Sequence, residues 1–192
     1  MIVFVRHGQT AANRERLALG RADPPLTELG RVQAMAVASR IAPTLPAIVL
    51  TSPLLRARET ADAIGDASGA PVRVDARLVE LDYGEWDGLR FSEMPPDALA
   101  RWRSDPTFAP PGGEALRAVT ARIAGFCDEH AEGPTVVAVS HVSPIKAAVA
   151  WALGAGEEIA WRMFLDLASI TRITAVDGRA SLLGFNDTSH LP

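Results

Sequence analysis

The twelve residues IVFVRHGQTAAN, at positions 2–13, decide the fold predicted for this chain. Residues 2–5 are apolar and mostly β-branched, which predicts a buried strand. That run stops at Arg6, His7 and Gly8. Ligands of an open α/β sheet bind just beyond the carboxyl ends of parallel strands, so these three residues are expected to lie at a binding site.

Each residue of this tripeptide suits an anion. Arg6 carries a permanent positive charge and a fork of N–H donors that matches a phosphate. His7 carries an imidazole that is neutral, and therefore nucleophilic, near neutral pH. Gly8 lacks the Cβ that would keep an anion away from the backbone, so it is predicted to contact phosphate. Taken alone, the tripeptide could equally be a solvated Arg-His pair at a strand end.

Composition restricts the class of protein. The chain has 192 residues, of which 48% are hydrophobic and 22% charged, as in ordinary globular proteins. A net charge of −4 predicts no general attraction to nucleic acid or to anionic membranes. Cys127 is the single cysteine and has no partner for an internal disulfide, and no apolar run could span a bilayer. With no leader expected before the first strand, we expect a soluble cytoplasmic protein, monomeric or homodimeric.

Strand-like and helix-like segments alternate along the chain. Strands are predicted at residues 2–5, 47–50, 72–74 and 135–139, and a hairpin at residues 169–176 and 180–185 around Asp177-Gly178. Helices are predicted at residues 28–42, 53–65, 114–130 and 144–153. This order predicts an α/β three-layer sandwich, with a mostly parallel central sheet, helices on both faces and an antiparallel strand at the edge.

The helix starts carry local signals. Ser52 and Ser143 are predicted to be N-caps, with Pro53 and Pro144 at the first helical positions. Both helix N-termini would then add partial positive charge at the carboxyl edge of the sheet. Thr27 is predicted to cap the helix at 28–42, whose apolar stripe is read as Leu29, Val32, Ala36 and Ile41.

Residues 78–113 interrupt the alternation. They hold five of the eleven aromatic residues, two Pro-Pro pairs and a Gly-Gly turn. Such an excursion from an α/β domain is typically a lid that shapes the substrate site, so residues 1–192 are read as one domain with a lid-like insertion. A small satellite core without ligand contact is the alternative.

Several polar residues follow strands at one predicted edge of the sheet. His7 and His141 each follow a buried strand, Arg56 begins a helix after another, and Glu80 precedes the aromatic insertion. Guanidinium groups repel a cation, so no metal is expected, whereas a dianion would fit well. A metal centre of two histidines and Glu80 stays conceivable, and a Ser-His-Asp triad has less support because no nucleophile-elbow motif is present.

Six motifs carry a resemblance to a known family. VRHGQTAAN, GRADPPLTELG, SPLLRARETA, LVELDYGEWDG, PPGGE and VSH stand in the order and spacing of the histidine phosphatase superfamily, the phosphoglycerate-mutase-like proteins. The likeness runs from residue 2 to about residue 153. The form VSHVSPIK is also similar to the branch that contains the α-ribazole phosphatases.

The resemblance implies the chemistry. His7 would be the phosphorylated nucleophile, and Arg6, Arg56 and His141 would surround the phosphoryl group. Glu80 aligns with the proton donor of the family. No metal or other cofactor is implied, and the substrate would be a small phosphorylated metabolite.

Other positions match the family less uniformly. Asn13 aligns with an asparagine that contacts phosphate. Val142-Ser143 replaces the usual Gly-Gly after the second histidine, and the Val142 amide is still expected to reach the phosphate. Ala115 stands where a serine is frequent, so substrate identity is left open. His130 and His190 match no motif and are expected to be solvated at the surface.

The sequence therefore predicts a phosphomonoesterase that acts through a phosphohistidine on His7. A phosphoglycerate mutase-type phosphotransferase is the enzymatic alternative, although the mutases of this family are longer. A non-catalytic module that binds phosphorylated ligands is the other alternative. Binding alone would require neither the nucleophile His7 nor the acid Glu80, which argues against such a module.

Overall fold

Six strands form one sheet in a computed structural model that describes residues 1–191. The strands are β1 (Ile2–Arg6), β2 (Ile48–Thr51), β3 (Val72–Val74), β4 (Val136–Ser140), β5 (Ile170–Val176) and β6 (Arg179–Asp187). The helices are α1 (Ala11–Arg14), α2 (Glu28–Ile41), α3 (Leu55–Ser68), α4 (Pro96–Ser104), α5 (Leu116–His130) and α6 (Val142–Leu153). The order across the sheet is β3-β2-β4-β1-β5-β6.

The first four strands run parallel, and β5 pairs antiparallel with β1. The predicted mostly parallel sheet is therefore confirmed. The antiparallel part is a hairpin of β5 and β6, closed by Asp177 and Gly178. Both of these residues have positive φ, 51° and 72°, as a tight two-residue hairpin turn requires.

The register of the central pair brings the two predicted histidines together. Arg6 at the end of β1 stands opposite Ser140 at the end of β4. His7 and His141 are the next residues, so both leave the sheet at the same edge. The pairing of two parallel strands that are far apart in sequence thus assembles the centre of the site.

Strand β1 is buried on both faces. Ile2 and Phe4 pack in one core with residues of α5 and α6, whereas Val3 and Val5 pack in a second core with residues of α2 and α3. Because side chains alternate along a strand, one apolar run serves both layers. The three-layer α/β architecture is confirmed.

Both proline-based helix starts were predicted wrongly. Helix α3 begins at Leu55 rather than Pro53, and its first amide donates to the carboxylate of Asp23 at 2.6 Å. Helix α6 begins at Val142, with His141 at the N-cap position, and Pro144 lies inside the first turn. A proline is tolerated there because that amide has no intrahelical acceptor. In both helices a distant carboxylate takes the place of the predicted serine cap.

The buried face of α2 differs from the predicted stripe. Thr27 caps the helix as expected, since its hydroxyl accepts from the Gly30 amide at 3.0 Å. Leu29 and Val32, however, are 47% and 44% exposed. The buried residues are Gly30, Ala34, Val37, Ala38 and Ile41. The stripe is displaced because small residues, and Gly30 above all, allow the helix to approach the backbone near Gly8 closely.

The insertion at 78–113 contains short 3₁₀ turns and the helix α4. Trp102 of α4 is buried at its centre and makes edge-on contacts with Tyr83, Trp86 and Trp161. These rings extend the core that α5 and α6 share, so the segment packs as part of the main core, and its role as a lid stays a prediction. Among residues 1–191, no helix has both the length and the apolar character needed to cross a bilayer.

Candidate active site

His7 is held in one tautomer. Its Nδ1 lies 2.7 Å from the carbonyl oxygen of Gly8, and a carbonyl can only accept. Nδ1 therefore carries the proton, and Nε2 keeps its lone pair. The Nε–H of Arg56 points at this lone pair from 3.3 Å. The nitrogen that is free to react is thus already placed against a cation.

The imidazole of His7 is kept neutral. Burial, followed by the charges of Arg56 and Arg6, holds its pKa well below the ordinary value, against the opposing effect of the hydrogen bond to Gly8. The side chain is 3% exposed. A neutral, buried imidazole with an unprotonated Nε2 has the form that a nucleophile requires.

Arg56 is completely buried and is fixed by backbone carbonyls. Its two terminal nitrogens donate to the carbonyl oxygens of Ala22 at 2.8 Å and Gly20 at 2.9 Å. The loop that offers these carbonyls is organised by Asp87, whose carboxylate accepts from the amides of Gly20, Arg21 and Ala22, each at 2.8 Å. The position of the guanidinium therefore depends on a carboxylate of the insertion.

Arg6 is less fully paired than Arg56. One terminal nitrogen donates to the carbonyl oxygen of Leu165 at 2.6 Å, but its buried Nε has no acceptor among residues 1–191. Burial lowers its pKa to about 10, so it stays charged at neutral pH. Arg6 lines a cavity of about 930 Å³ together with Asn13. Arg6 thus keeps one buried N–H without a partner at the carboxyl end of β1.

His141 faces His7, with ring centroids 5.0 Å apart. Its Nε2 lies 2.8 Å from the hydroxyl oxygen of Ser52, and its buried Nδ1 has no partner within the described chain. Burial and then the charges of Arg56, His7 and Arg6 hold the pKa of His141 well below its ordinary value. Ser52 thus orients this imidazole, and its hydroxyl also accepts from the Leu54 amide at 3.3 Å, just before α3.

Glu80 is bound by the start of α6. Its Oε1 accepts from the amides of Leu81 at 2.7 Å and Ser143 at 3.2 Å, and its Oε2 accepts from the amide of Val142 at 3.0 Å. A helix N-terminus favours such a negative group. The Val142 amide, predicted to reach a phosphate, is therefore directed at Glu80 in this structure.

The amide of Gly8 is also engaged. It donates to the hydroxyl of Thr60 at 3.2 Å, and that hydroxyl in turn donates to the Arg56 carbonyl at 2.9 Å. A Cβ at Gly8 would collide with the carbonyl of Gly30. The structure thus gives a packing reason for this glycine, which differs from the approach of an anion that the sequence suggested.

Asn13 lies on the wall of the large cavity that Arg6 lines. Its Oδ1 accepts from the amide of Thr10 at 3.0 Å and the hydroxyl of Thr10 at 2.9 Å. The side-chain nitrogen is therefore the donor that Asn13 can offer to a ligand. Phosphate contacts of Asn13, Gly8 and Val142 stay predictions.

Sequence reasoning missed the residues that position this site. Thr60 and Ser52 belong to the motif SPLLRARETA, and Asp87 belongs to LVELDYGEWDG, but none of the three was given this role. Their positions in motifs that also carry Arg56 and Glu80 were the available signal. Among residues 1–191, no group of three or more His, Cys, Asp or Glu is arranged to hold a metal ion.

His130 and His190 are not the solvated residues that were expected. The ring of His130 packs against Phe126, with centroids 4.7 Å apart. His190 is partly buried, and its Nε2 lies 3.0 Å from the carbonyl of Ala168. The tail that carries His190 thus packs beside the loop that follows the site, because Ala168 also donates to the His7 carbonyl.

Known proteins resemble this chain over nearly its whole length. A bifunctional protein of Mycobacterium tuberculosis is 39% identical over 198 residues, which cover 99% of this chain and 54% of that protein. The chain therefore spans about half the length of that relative. Phosphoserine phosphatase 1 of Hydrogenobacter thermophilus is 32% identical over 197 residues, which cover 99% of this chain and 93% of the relative.

A solved structure agrees with these relatives. The structure of a mycobacterial glucosyl-3-phosphoglycerate phosphatase in complex with VO3 is 35% identical, with a TM-score of 0.89, and covers 97% of this chain and 98% of its own. These names do not test the likeness to α-ribazole phosphatases, which stays a prediction. Residues 2–188 match the sequence model of the histidine phosphatase superfamily, branch 1. The chain belongs to the histidine phosphatase superfamily.

Proposed function

We propose that this protein is a phosphomonoesterase that hydrolyses a small phosphorylated metabolite through a phosphohistidine on His7. The observation that carries the proposal is the tautomer of His7. Its Nδ1–H is fixed on the Gly8 carbonyl, and its Nε2 is unprotonated against Arg56. A residue that only bound phosphate would serve better as a donor, whereas this nitrogen can attack.

In the first step, Nε2 of His7 attacks phosphorus while the bond from phosphorus to the leaving oxygen breaks. Arg6 and Arg56 supply positive charge against the equatorial oxygens, which is the main demand of phosphoryl transfer. The Nε–H of Arg56 turns from Nε2 to a phosphoryl oxygen as the substrate binds. Glu80, which takes up a proton when the negatively charged phosphate binds beside it, gives that proton to the leaving oxygen.

In the second step, water attacks the phosphohistidine and the N–P bond breaks. Glu80, now a carboxylate, accepts a proton from that water, which releases phosphate and restores the starting state. The amides of Leu81 and Ser143 hold this carboxylate in place through both steps, whereas the Val142 amide turns from it to the phosphate when the substrate binds. His141, oriented by Ser52, faces the same phosphoryl group.

The remaining parts of this assignment concern context. Asn13, Gly8 and the Val142 backbone contact the phosphate, residues 1–192 form one domain, and residues 78–113 act as its lid. The protein works in the cytoplasm as a monomer or homodimer. The names of the relatives, a phosphoserine phosphatase and a glucosyl-3-phosphoglycerate phosphatase, support a small phosphorylated metabolite as substrate.

Trapping the intermediate tests the proposal. The protein is mixed with a phosphomonoester, quenched in base, where phosphohistidine survives, and weighed as the intact protein. We expect the wild type to gain one phosphoryl group, His7→Ala to gain none, and the control His130→Ala to behave as the wild type does. Release of inorganic phosphate should follow in the wild type.

Three other results would reject the proposal in different ways. Phosphoryl transfer from the phosphoenzyme to a second metabolite in preference to water would indicate a mutase-type phosphotransferase. Binding of the phosphomonoester with neither a phosphoenzyme nor phosphate release would indicate a non-catalytic module. Equal labelling of the wild type and His7→Ala would place the covalent chemistry on another residue.

A further inference from the structure

A second, smaller cavity lies beside Glu80 and has no role in the mechanism above. Its volume is about 100 Å³, and it lies between the insertion and α6. Phe91 lines both this cavity and the large cavity that contains Arg6, so the two are neighbours. Four aromatic and four aliphatic residues line the small cavity, together with Ser143 and Lys146.

The cavity contains the only lysine of the chain, Lys146. Lys146 lies one helical turn after Val142, and long side chains on a helix lean towards its N-terminus, where Glu80 is bound. The side chain is half-buried, and burial lowers its pKa against the nearby charge of Glu80. Within residues 1–191 its ammonium makes neither a hydrogen bond nor an ion pair.

A second donor in this cavity lacks a partner. Trp102 is 3% exposed and lines the cavity, and its buried Nε1 has no acceptor among residues 1–191. Its ring is fixed by edge-on contacts with Tyr83 and Trp161, with centroids 5.6 and 4.6 Å apart. Buried polar groups of native proteins nearly always have partners, so a ligand is a natural acceptor for this N–H.

The cavity adjoins the place where the leaving group must sit. A proton from Glu80 can reach only an oxygen near its carboxylate. That carboxylate is bound by the amides of Val142 and Ser143, and both of these residues line the cavity. A leaving group with a short carbon chain would therefore place its far end against Lys146 and Trp102.

We propose that Lys146 and Trp102 form a subsite for a carboxylate carried by the leaving group. This inference rests on the proposed function, and it narrows the substrate to phosphorylated hydroxy acids. A carboxylate oxygen can accept from the ammonium of Lys146 and from the indole N–H of Trp102, and the aromatic walls exclude competing water. A second phosphate would bring more charge and bulk than one cation and this volume accommodate.

Two substrates that differ only at the far end of the leaving group, where the carboxylate would lie, test the subsite. 3-Phosphoglycerate carries a carboxylate where glycerol 3-phosphate carries a hydroxymethyl group. We expect the wild type to prefer 3-phosphoglycerate by about tenfold or more in kcat/KM, as for a site built around a hydrogen-bonded group. Lys146→Met should remove most of this preference, mainly through a higher KM for the carboxylate.

Further variants keep the test independent of folding. Trp102→Phe keeps the aromatic packing, removes only the N–H, and should reduce the same preference to a smaller degree. Lys146→Arg should retain part of it. The control Arg73→Met removes one positive charge from the exposed edge strand β3 and should keep the full preference.

Binding to His7→Ala, measured by calorimetry, reads the subsite without turnover. In that background, adding Lys146→Met should weaken binding of 3-phosphoglycerate much more than binding of glycerol 3-phosphate. Equal effects on both ligands, or an unchanged preference in Lys146→Met, would overturn the subsite. A preference for glycerol 1,3-bisphosphate over 3-phosphoglycerate would reject the carboxylate. Absence of any phosphoenzyme, with the binding difference intact, would reject the proposed hydrolysis but leave the subsite standing.

Discussion

The two ends of the candidate site are held in different ways. At the phosphate end, Nδ1 of His7 and the terminal nitrogens of Arg56 are bonded to backbone carbonyls. At the leaving-group end, Lys146 and the Nε1 of Trp102 make no such bond within residues 1–191. The backbone thus fixes His7 and Arg56, although Nε of Arg6 and Nδ1 of His141 also lack partners, whereas neither donor of the proposed leaving-group subsite is fixed by a hydrogen bond.

The difference follows from where each end sits. The phosphate end is built on the last residues of β1 and β4, whose backbone hydrogen bonds are fixed by the sheet. The leaving-group end is built on the insertion, where aromatic packing and short 3₁₀ turns replace regular structure. Glu80 lies at the junction, because it precedes the insertion but is bound by the first turn of α6.

The largest expected effect comes from Glu80→Gln. The variant removes the transferable proton, so an alkyl phosphate, which expels a strongly basic alkoxide, should lose roughly 10²–10⁴-fold in kcat/KM. p-Nitrophenyl phosphate expels a weakly basic phenolate and should lose much less. The ratio of the two losses is the measurement, since the amide also disturbs the hydrogen bonds from Val142 and Ser143 for both substrates.

Glu85→Gln provides the matched control, because Glu85 is exposed in the same insertion. It should change neither rate. Comparable losses for the two substrates in Glu80→Gln, with the fold intact, would show that Glu80 orients groups at the start of α6 instead of donating a proton.

Arg56→Lys should have the next largest effect. A lysine keeps the charge but cannot reach the Gly20 and Ala22 carbonyls and face His7 at the same time. We expect kcat/KM to fall by about tenfold or more, which corresponds to about 1.4 kcal/mol or more of transition-state stabilisation. Arg58→Lys, on an exposed side chain two residues later, is the control. A fully active Arg56→Lys enzyme would mean that Arg56 is structural.

A smaller effect is expected from Asp87→Asn. Asp87 belongs to the insertion but holds the loop that positions Arg56, so it connects the leaving-group end with the phosphate end. Asparagine cannot accept hydrogen bonds at both side-chain ends, so it would release at least one of the amides that Asp87 holds. The loop would then present the Gly20 and Ala22 carbonyls less well to Arg56. We expect a loss of about fivefold in kcat/KM, since a displaced guanidinium stabilises the transition state less.

A double-mutant cycle distinguishes this positioning role from general destabilisation. Asp87→Asn should cost little in the Arg56→Lys background, because the guanidinium that it positions is already absent. Asp97→Asn, on an exposed residue of α4, should change no rate in either background. Full additivity of the Asp87 and Arg56 losses would show that Asp87 acts by another route.

The sheet and the central residues of the site were predictable from sequence for one physical reason. Buried strands are continuous apolar runs, and the carboxyl ends of parallel strands meet at one edge. His7 and His141 could therefore be placed together before the register Arg6 to Ser140 was known. The hairpin at Asp177-Gly178 was equally local, because its turn requires positive φ at both positions.

The helix starts and the supporting residues depended on contacts that no local pattern contains. Ser52 has the chemistry of a cap, yet its hydroxyl is used by His141, and the α3 amide is satisfied by the distant Asp23. The role of Asp87 depends on hydrogen bonds to a loop that lies more than sixty positions earlier in the chain, which no local pattern reveals. Tertiary partners thus overrode capping preferences, which contribute only about 1 kcal/mol each.

The smallest expected effect concerns pH and the buried imidazoles of the phosphate end. Burial and the charges of Arg56 and Arg6 hold the pKa of His7 well below its value in the unfolded chain. Histidine in the unfolded chain has a pKa of about 6.5. As the pH falls below this value, the unfolded chain binds a proton that the folded protein does not bind, so the free energy of unfolding decreases. Between about pH 7.5 and 5.5 this costs about 1 kcal/mol for such an imidazole.

Urea unfolding of the wild type and of His7→Gln across this pH range measures the effect. Because glutamine has no titrating group, the free energy of unfolding of the wild type relative to that of the variant should fall as the pH is lowered. If the difference in the free energy of unfolding between the wild type and the variant does not change with pH, His7 has the same pKa in the folded and unfolded protein. That result would contradict the assignment of His7 as a neutral nucleophile.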